Sequence, residues 1–199
     1  MEKGLYKKIC SLKKEDNIWN LYDWDGKPLR NPSPNTSSPN AYFPKSLNQR
    51  YRNIRKTYGI DEDISCVWFL TGKKNGREEW IQVGRTKTLN NMLSSDIKED
   101  IKAFFYGTGK YGELGKEYSE LIFYEIDVIR YIEADKEAQG IFGKMPDDKN
   151  LKLAYLVNCA AYIEGKESFE NNAVIYVPST LDGYYHRYFK DRKRKGTGK

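Results

Sequence analysis

The stretch from Cys66 to Leu93 constrains the fold of this chain most, because it contains two short apolar runs separated by a turn. The first run is Cys66–Leu70, the turn reads Lys-Lys-Asn-Gly-Arg, and the second run is Glu79–Val83. An Asn-Gly pair between apolar runs is a strong short-range signal for a β-hairpin. Gly84 ends the second run, and a helical pattern begins after it. The stretch therefore predicts an antiparallel hairpin that leads through a glycine into a helix.

Downstream of the hairpin the sequence alternates between helical and strand patterns. Leucines and isoleucines recur every four residues from Leu89 to Ile101, which predicts a helix that Thr86 or Thr88 could cap. The predicted elements that follow are a third strand, a short helix, a helix apolar nearly all round and a last strand, at Leu121–Ile129, Ala134–Ile141, Leu151–Glu164 and Ala173–Val177. This order predicts the α+β class, with a small central antiparallel sheet of three to four strands flanked by helices.

The segment 107–118 contains four glycines, and such a composition is typical of a mobile loop. Its Lys110, Tyr111, Lys116 and Tyr118 could contact a ligand. The segment is not a Walker loop, because no Gly-Lys-Ser or Gly-Lys-Thr closes it.

Composition divides the chain into four parts. Residues 1–30 carry enough apolar side chains to dock onto a larger body, and we expect them to form an N-terminal appendage. Residues 31–45 are rich in Pro, Ser and Asn, which predicts an exposed linker. Residues 46–190 are expected to form the main domain, opening with a basic helix at 46–58. Residues 191–199 are expected to form a basic, disordered tail.

The chain has 199 residues, a net charge of +6 and 16 tyrosines. A basic balance favours a polyanionic partner. No run of about 18 apolar residues is present, so we expect no membrane span, and the N-terminus lacks the apolar core of a signal peptide. Three widely spaced cysteines are typical of reduced thiols in a cytoplasmic protein. A single histidine does not favour a zinc site.

Cations that could contact nucleic acid fall in several segments. The predicted helix at 46–58 carries four of them without an intervening acid, Arg50, Arg52, Arg55 and Lys56. These side chains form either the solvated face of a core-packed helix or a surface that lies against a phosphate backbone. The other candidates lie after the second strand, in the glycine-rich segment and in the tail, at Lys87, Lys110, Arg192, Lys193 and Arg194.

Residues 64–175 resemble the GIY-YIG nuclease family, whose two signature tripeptides lie on an antiparallel hairpin. The first tripeptide falls at Cys66-Val67-Trp68 and the second at Gln82-Val83-Gly84, followed by Arg85-Thr86-Lys87-Thr88-Leu89. The resemblance implies a GIY-YIG-like core in which a helix with an arginine follows the hairpin and a later helix carries a metal-binding glutamate. It also implies a metal-dependent endonuclease that acts on double-stranded DNA with one Mg²⁺ or Mn²⁺ per site. A restriction-type role is one setting for such an enzyme.

Several family residues are replaced in this chain. Trp68 and Gln82 stand where the family has tyrosines that orient or deprotonate the attacking water, and Met92 stands where it has its helix arginine. Gly84 alone matches a signature residue outright. Arg85 is therefore the candidate for the missing cation, and Tyr111 or Tyr118 for the missing phenol. Trp68 is also a candidate to pair with Trp80 across the hairpin as core, and the alternative is a platform on which bases stack.

Phosphodiester cleavage needs a metal to neutralise charge, a cation on the non-bridging oxygens and a group that takes a proton from water. Arginine suits the second task, because its planar fork is always charged. Glu164 is the first choice for the metal ligand, since it is an acid at the predicted C-terminal end of an apolar helix, where a carboxylate is disfavoured. The alternative is that Glu164 points to water. Glu137, in the short helix after the third strand, is the second choice.

Two other functions fit the same residues. One is a nucleic-acid-binding protein that uses a degenerate nuclease scaffold without cutting. The other is a protein-binding accessory of a phage or defence system that recruits partners through its tyrosines. A homodimer would allow an enzyme of this kind to cut both strands. The sequence does not distinguish a homodimer from a monomer.

Overall fold

The computed structural model describes residues 4–31, 65–87, 95–108 and 110–174. Five strands lie in this part of the chain, β1 Tyr6–Glu15, β2 Ile18–Asp23, β3 Ser65–Lys74, β4 Arg77–Lys87 and β5 Glu120–Ile126. The helices are α1 Ser95–Tyr106, α2 Lys110–Glu117, α3 Val128–Ala134, α4 Lys136–Phe142 and α5 Lys149–Glu170.

The strands form one antiparallel sheet in the order β2-β1-β5-β3-β4. The α+β class is thus confirmed, but the sheet has five strands rather than three to four. The two additional strands come from the N-terminal segment that we expected to be an appendage. Ile9, Cys10 and Leu12 of β1 are fully buried in the main core, and β1 pairs directly with β5.

The hairpin prediction is confirmed, with β3 and β4 joined by Asn75 and Gly76. Both turn residues have positive φ, 51° and 78°, as a two-residue hairpin turn of the primed type requires. A register shift after Leu70 places Ile81 between two regularly paired residues, Trp80 and Gln82. This bulge keeps Ile81 in the same core as Leu70, while Trp80 lies on the other side of the sheet.

Each face of the sheet is covered by a different set of helices. On the face that we call the α1 face, Trp68, Leu70 and Phe123 pack against Ile97, Ile101 and Phe104 of α1 and against α2. On the opposite face, which we call the α5 face, Val67, Phe69 and Val83 pack against side chains of α3 and α5. The alternation of side chains along a strand separates the two cores.

The glycine-rich segment 107–118 is not a loop, because residues 110–117 form α2. Tyr111 and Tyr118 are buried in the core of the α1 face, so packing overrides the low helix propensity of glycine. A Cβ atom on Gly112 would lie 2.4 Å from the carbonyl oxygen of Gly107, which shows that glycine permits a close backbone approach here.

Several element boundaries differ from the predictions. The third strand ends at Ile126 rather than Ile129, because the Asp127 side chain accepts a hydrogen bond from the backbone N–H of Arg130 and caps α3. Thr86 lies within β4 and so does not cap the helix, while α1 covers Ser95–Tyr106 and the start predicted at Leu89 lies outside the described residues. The apolar helix continues to Glu170. It is not buried all round, since Leu151 in its first turn is 61% exposed.

Other predictions fall outside the described residues. They are the linker beyond residue 31, the basic helix at 46–58, Thr88, most of the strand predicted at 173–177 and the tail. Cys10 and Cys159 are buried and form no disulfide. Within the described ranges, no helix is long and apolar enough to cross a membrane.

Candidate functional site

Arg85 and Glu164 lie together although they are far apart in the sequence. Arg85 belongs to β4 and Glu164 to α5, which packs against β3 and β4. Nε of Arg85 lies 3.5 Å from Oε2 of Glu164. The side chain of Glu164 is 10% exposed and that of Arg85 is 28% exposed, so the pair is anchored in the core and reaches the surface through the arginine.

The Glu164 carboxylate is poorly solvated. Burial raises its pKa to about 7, although the charge and backbone N–H of Arg85 act in the opposite direction. Its Oε2 atom is buried and accepts no hydrogen bond from the described part of the chain. A carboxylate in this state is close to half-protonated near neutral pH, and a cation that approached Oε2 would favour its ionised form.

The prediction that Glu164 lies at the C-terminal end of its helix is wrong, because α5 continues for more than a turn beyond it, to Glu170. The cost of ionising Glu164 therefore comes from burial and not from the helix dipole. The alternative that Glu164 points to water is also wrong, because the residue is 8% exposed.

The other predicted catalytic residues lie on the α1 face. Trp68 pairs with Gly84 and Gln82 with Leu70 in the register of the hairpin, whereas Arg85 pairs with Val67. Side chains of adjacent strand residues point to opposite faces. The sheet therefore separates Trp68, Gln82 and Tyr111 from the Arg85–Glu164 pair.

Tyr111 and Gln82 are joined by a hydrogen bond in which the tyrosine hydroxyl donates to Oε1 of Gln82 over 2.6 Å. Burial raises the pKa of Tyr111 far above its ordinary value, and the nearby Asp100 raises it further. Tyr111 thus keeps its proton at neutral pH, which excludes it as a general base there.

Trp68 packs its indole ring directly over Gly84. A Cβ atom on Gly84 would lie 2.4 Å from the ring, so this glycine of the second tripeptide has a packing role. Nε1 of Trp68 is buried and has no hydrogen-bond partner among the described residues. Trp68 and Trp80 do not pair across the hairpin. Trp80 lies on the α5 face and stacks on Phe69, with ring centroids 4.0 Å apart.

The second-choice ligand, Glu137, and the alternative phenol, Tyr118, both have partners. Glu137 lies 3.6 Å from Nζ of Lys166, which also forms an ion pair with Asp135. The hydroxyl of Tyr118 donates to Glu79 over 2.5 Å. These contacts are with Lys166 and Glu79, and not with Arg85 or Glu164.

Sequence reasoning missed a second buried carboxylate on α5. Glu167 accepts hydrogen bonds from the hydroxyl of Tyr131 over 2.5 Å and from the side-chain amide of Asn171 over 2.9 Å. Burial raises its pKa. Lys98 on α1 is fully buried, and burial lowers its pKa. For Glu167, the sequence did contain a signal: four polar residues within Glu164–Ser168 interrupt the apolar pattern of the helix.

The residues present meet the minimum for a single divalent ion. Mg²⁺ is usually bound by one or two carboxylates together with waters and substrate phosphates. Oε2 of Glu164 is a buried carboxylate oxygen without a hydrogen bond, but it faces Nε of Arg85 at 3.5 Å, so a divalent ion bound to it would have to share that oxygen with the guanidinium or displace it. Residues 4–31, 65–87, 95–108 and 110–174 contain no group of three or more acidic, histidine or cysteine side chains placed to hold a metal.

Two of the predicted nucleic-acid contacts lie at the ends of described elements. Lys87 is the last residue of β4 and Lys110 the first of α2. The others lie outside the described residues, namely Arg50, Arg52, Arg55, Lys56, Arg192, Lys193 and Arg194.

Comparisons with protein-family models, with curated proteins and with solved structures found no match for this chain.

Proposed function

We propose that this protein is a metal-dependent nucleic-acid phosphodiester hydrolase, an endonuclease of the GIY-YIG type that acts on double-stranded DNA with Mg²⁺ or Mn²⁺. One observation carries the proposal: a guanidinium from the hairpin and a buried carboxylate from a distant helix meet within 3.5 Å. The order of a hairpin, a helix and a later helix with an acid is also the order that the family resemblance implies.

Glu164 and Arg85 have complementary tasks in this proposal. Oε2 of Glu164 would hold the divalent ion, which when bound neutralises phosphate charge and lowers the pKa of a bound water. Arg85, whose side chain is 28% exposed, can reach a non-bridging phosphate oxygen from the surface. A guanidinium suits that contact because it stays charged and donates along two parallel directions.

Neither Arg85 nor Glu164 is assigned the third task, which is to take a proton from the attacking water. The residues at the family's tyrosine positions, Trp68 and Gln82, lie on the α1 face and do not share a face with Arg85. This separation favours a second candidate function, which is nucleic-acid binding without cleavage. In that case Arg85 and Glu164 form a structural ion pair, and the cations of the chain bind the phosphate backbone.

A nicking assay distinguishes the two functions. Supercoiled plasmid is incubated with the protein and Mg²⁺ or Mn²⁺, with and without EDTA. An endonuclease gives metal-dependent nicking that Glu164→Gln abolishes and that Arg85→Ala lowers about 10²–10³-fold, the usual loss for one electrostatic contact to the transition state.

Two matched variants test whether the effects are specific. Arg77→Ala removes an exposed arginine from the same strand, and Glu99→Gln neutralises an exposed glutamate on α1. Both are expected to nick at the wild-type rate. Binding with a steep salt dependence but no nicking by the wild-type protein would establish the second function instead.

A further inference from the structure

The end of the sheet remote from Arg85 contains a polar cavity of about 460 Å³. It lies where β5 begins, between the β1–β2 and β3–β4 hairpins. Ser119 lines it and links the two hairpins, since the Lys14 N–H donates to the Ser119 carbonyl and the Ser119 N–H donates to the Lys73 carbonyl, each over 2.9 Å. The hairpin turns form its walls through Asp16, Asn17 and Asn75, which all have positive φ. We call this cavity the hairpin notch.

Lysines dominate the charge of the hairpin notch. Lys14, Lys73 and Lys116 line it together with the acids Asp16 and Glu117. Lys116 lies 2.7 Å from Glu113, and Glu117 lies 2.5 Å from Lys74, so these two charges are already paired. Within the described ranges, neither Lys14 nor Lys73 forms an ion pair with a carboxylate. The lining charges that form no ion pair with a described residue are then Lys14, Lys73 and Asp16, two positive and one negative, and this net positive charge favours an anion.

Lys14 is held in place although it lacks an acidic partner. Its ammonium donates to the carbonyl oxygen of Gly115 over 2.8 Å and lies 4.8 Å from the centre of the Trp19 ring. The side chain is half-buried, and burial lowers its pKa. A fixed, partly desolvated cation interacts more strongly with an anion than a mobile surface lysine does, because the local dielectric is lower and less side-chain entropy is lost.

We propose that the hairpin notch binds a phosphate group, with Lys14 and Lys73 as its cationic contacts and the amides of Asn17 and Asn75 as further donors. One water occupies about 30 Å³. The notch, at about 460 Å³, therefore has room for a phosphate group together with several ordered waters. The group comes either from a phosphodiester backbone or from a free phosphate compound. Along β3 the notch lies roughly 20 Å from the level of Arg85, at about 3.3 Å per residue, so it is a separate site. The inference does not depend on nuclease activity.

Titration of the full chain tests the proposal with two probes. Pyrophosphate binding is followed by the indole ¹⁵N–¹H resonance of Trp19, which lies beneath Lys14 and is assigned with a Trp19→Phe variant. Binding of a labelled 12-base-pair duplex is followed by anisotropy over a range of salt concentrations. Lys14→Gln is expected to weaken the binding of one or both probes by about tenfold or more, because it removes one charge-assisted hydrogen bond to the phosphate.

The chain offers a matched control in Lys13. Lys13→Gln removes the same charge from the neighbouring position of β1, but Lys13 lies 3.8 Å from Glu120 and does not line the notch. It is expected to change the affinity less than twofold. Lys14→Arg keeps the charge and is expected to retain binding. If Lys14→Gln does not fold, Lys73→Gln, which alters an exposed side chain, takes its place.

The outcomes separate the two sources of phosphate. Weakened duplex binding alone identifies a phosphodiester backbone, weakened pyrophosphate binding alone identifies a free phosphate compound, and loss of both identifies the shared group. Equal affinities of the wild type, Lys14→Gln and Lys13→Gln would overturn the proposal, as would equal losses in both variants. Glu164→Gln is expected to bind pyrophosphate like the wild type, so failure of the nuclease proposal leaves this test unaffected.

Discussion

At the scale of single residues, the chemistry of this protein is set by which charges are buried. Glu164 is an acid in a core, and its neighbour Arg85 offsets only part of the cost of ionising it. Glu167, one turn later, is buried as well but is fully engaged by hydroxyl and amide donors. Of the two carboxylates, Glu164 is therefore the one with an oxygen that accepts no hydrogen bond from the described residues and faces only the guanidinium of Arg85.

Replacing Glu164 by Gln is expected to change how stability depends on pH. The folded pKa of about 7 lies above the ordinary value of 4.5, so the folded state holds a proton that the unfolded state releases within this window. Folding stability from this group therefore falls as the pH rises from about 4.5 to 7. Between pH 5 and pH 8, Glu164→Gln should gain on the order of 1–3 kcal/mol in unfolding free energy relative to the wild type. Urea denaturation at both pH values measures this, and a constant difference would contradict it.

Metal binding is expected to depend on the same proton. A carboxylate must be ionised to bind Mg²⁺, so affinity should rise up to about tenfold per pH unit below the pKa of about 7 and level off above it. Calorimetry in buffers of different ionisation enthalpy measures both the affinity and the proton released. Glu164→Gln should show no binding, whereas Glu99→Gln should bind like the wild type. Equal affinities at pH 6 and pH 8 would rule out Glu164 as the ligand.

Gly84→Ala is expected to destabilise the protein by about 1–3 kcal/mol, the usual cost of overpacking a core. The added Cβ would lie 2.4 Å from the ring of Trp68. Trp68→Leu removes that ring, so the cost of Gly84→Ala should be smaller in the Trp68→Leu background. A double-mutant cycle in urea measures the coupling. Additive effects would show that the glycine is required for another reason.

At the scale of elements, packing decides between helix and loop more than local composition does. α2 contains Gly112 and Gly115, yet its Tyr111 and the following Tyr118 are buried, and its backbone lies against the turn at Gly107. The bulge in β4 has a comparable effect, since it keeps Ile81 in one core while Trp80 stays in the other. In both cases the local sequence permits the element and tertiary contacts select it.

Gly112→Ala is expected to destabilise the protein by about 1–3 kcal/mol, although alanine is the better helix former. Its Cβ would lie 2.4 Å from the carbonyl oxygen of Gly107, and a backbone atom cannot move aside as a flexible side chain can. Gly140→Ala in α4 is the control, since nothing lies within 4 Å of its added Cβ. It should be neutral or stabilising by up to about 1 kcal/mol. Thermal denaturation compares the two variants, and equal effects would refute the packing argument.

At the scale of the whole molecule, the N-terminal strands are part of the central sheet. β1 lies between β2 and β5, and its residues Ile9 and Leu12 are fully buried in the core of the α1 face. Without β1, the backbone groups of β5 would lose their partners along one edge, and the core would open to water.

Deletion of residues 1–31 is therefore expected to abolish cooperative folding, whereas loss of an appendage would leave the main body folded. Circular dichroism and urea denaturation of the shortened chain measure the result.

A milder test of the same role replaces two residues of the N-terminal strands by alanine. Leu12→Ala should cost about 2–5 kcal/mol, and Ile18→Ala, at a side chain that is 63% exposed, less than about 1 kcal/mol. A folded, cooperative deletion variant would contradict the role of β1.

The candidate site was predictable only in part. Arg85 and Glu164 stand out locally, as a cation after a strand and an acid in an apolar helix, and the structure brings them together. The partition of Trp68, Gln82 and Tyr111 onto the other face depends on the exact register of β3 and β4 and on the bulge in β4. Sequence periodicity does not specify a register to one residue, and a shift of one residue exchanges the faces.

By itself, the sequence determined the β3–β4 hairpin, the α+β class and the amphipathic helices, because turn chemistry and apolar periodicity act over a few neighbouring residues. Only the tertiary structure decided that β1 and β2 join the sheet, that α2 is helical and that Glu164 is buried beside Arg85. Each of these depends on contacts between segments far apart in the chain. The free energy of such contacts comes from burial, which no short window of sequence contains.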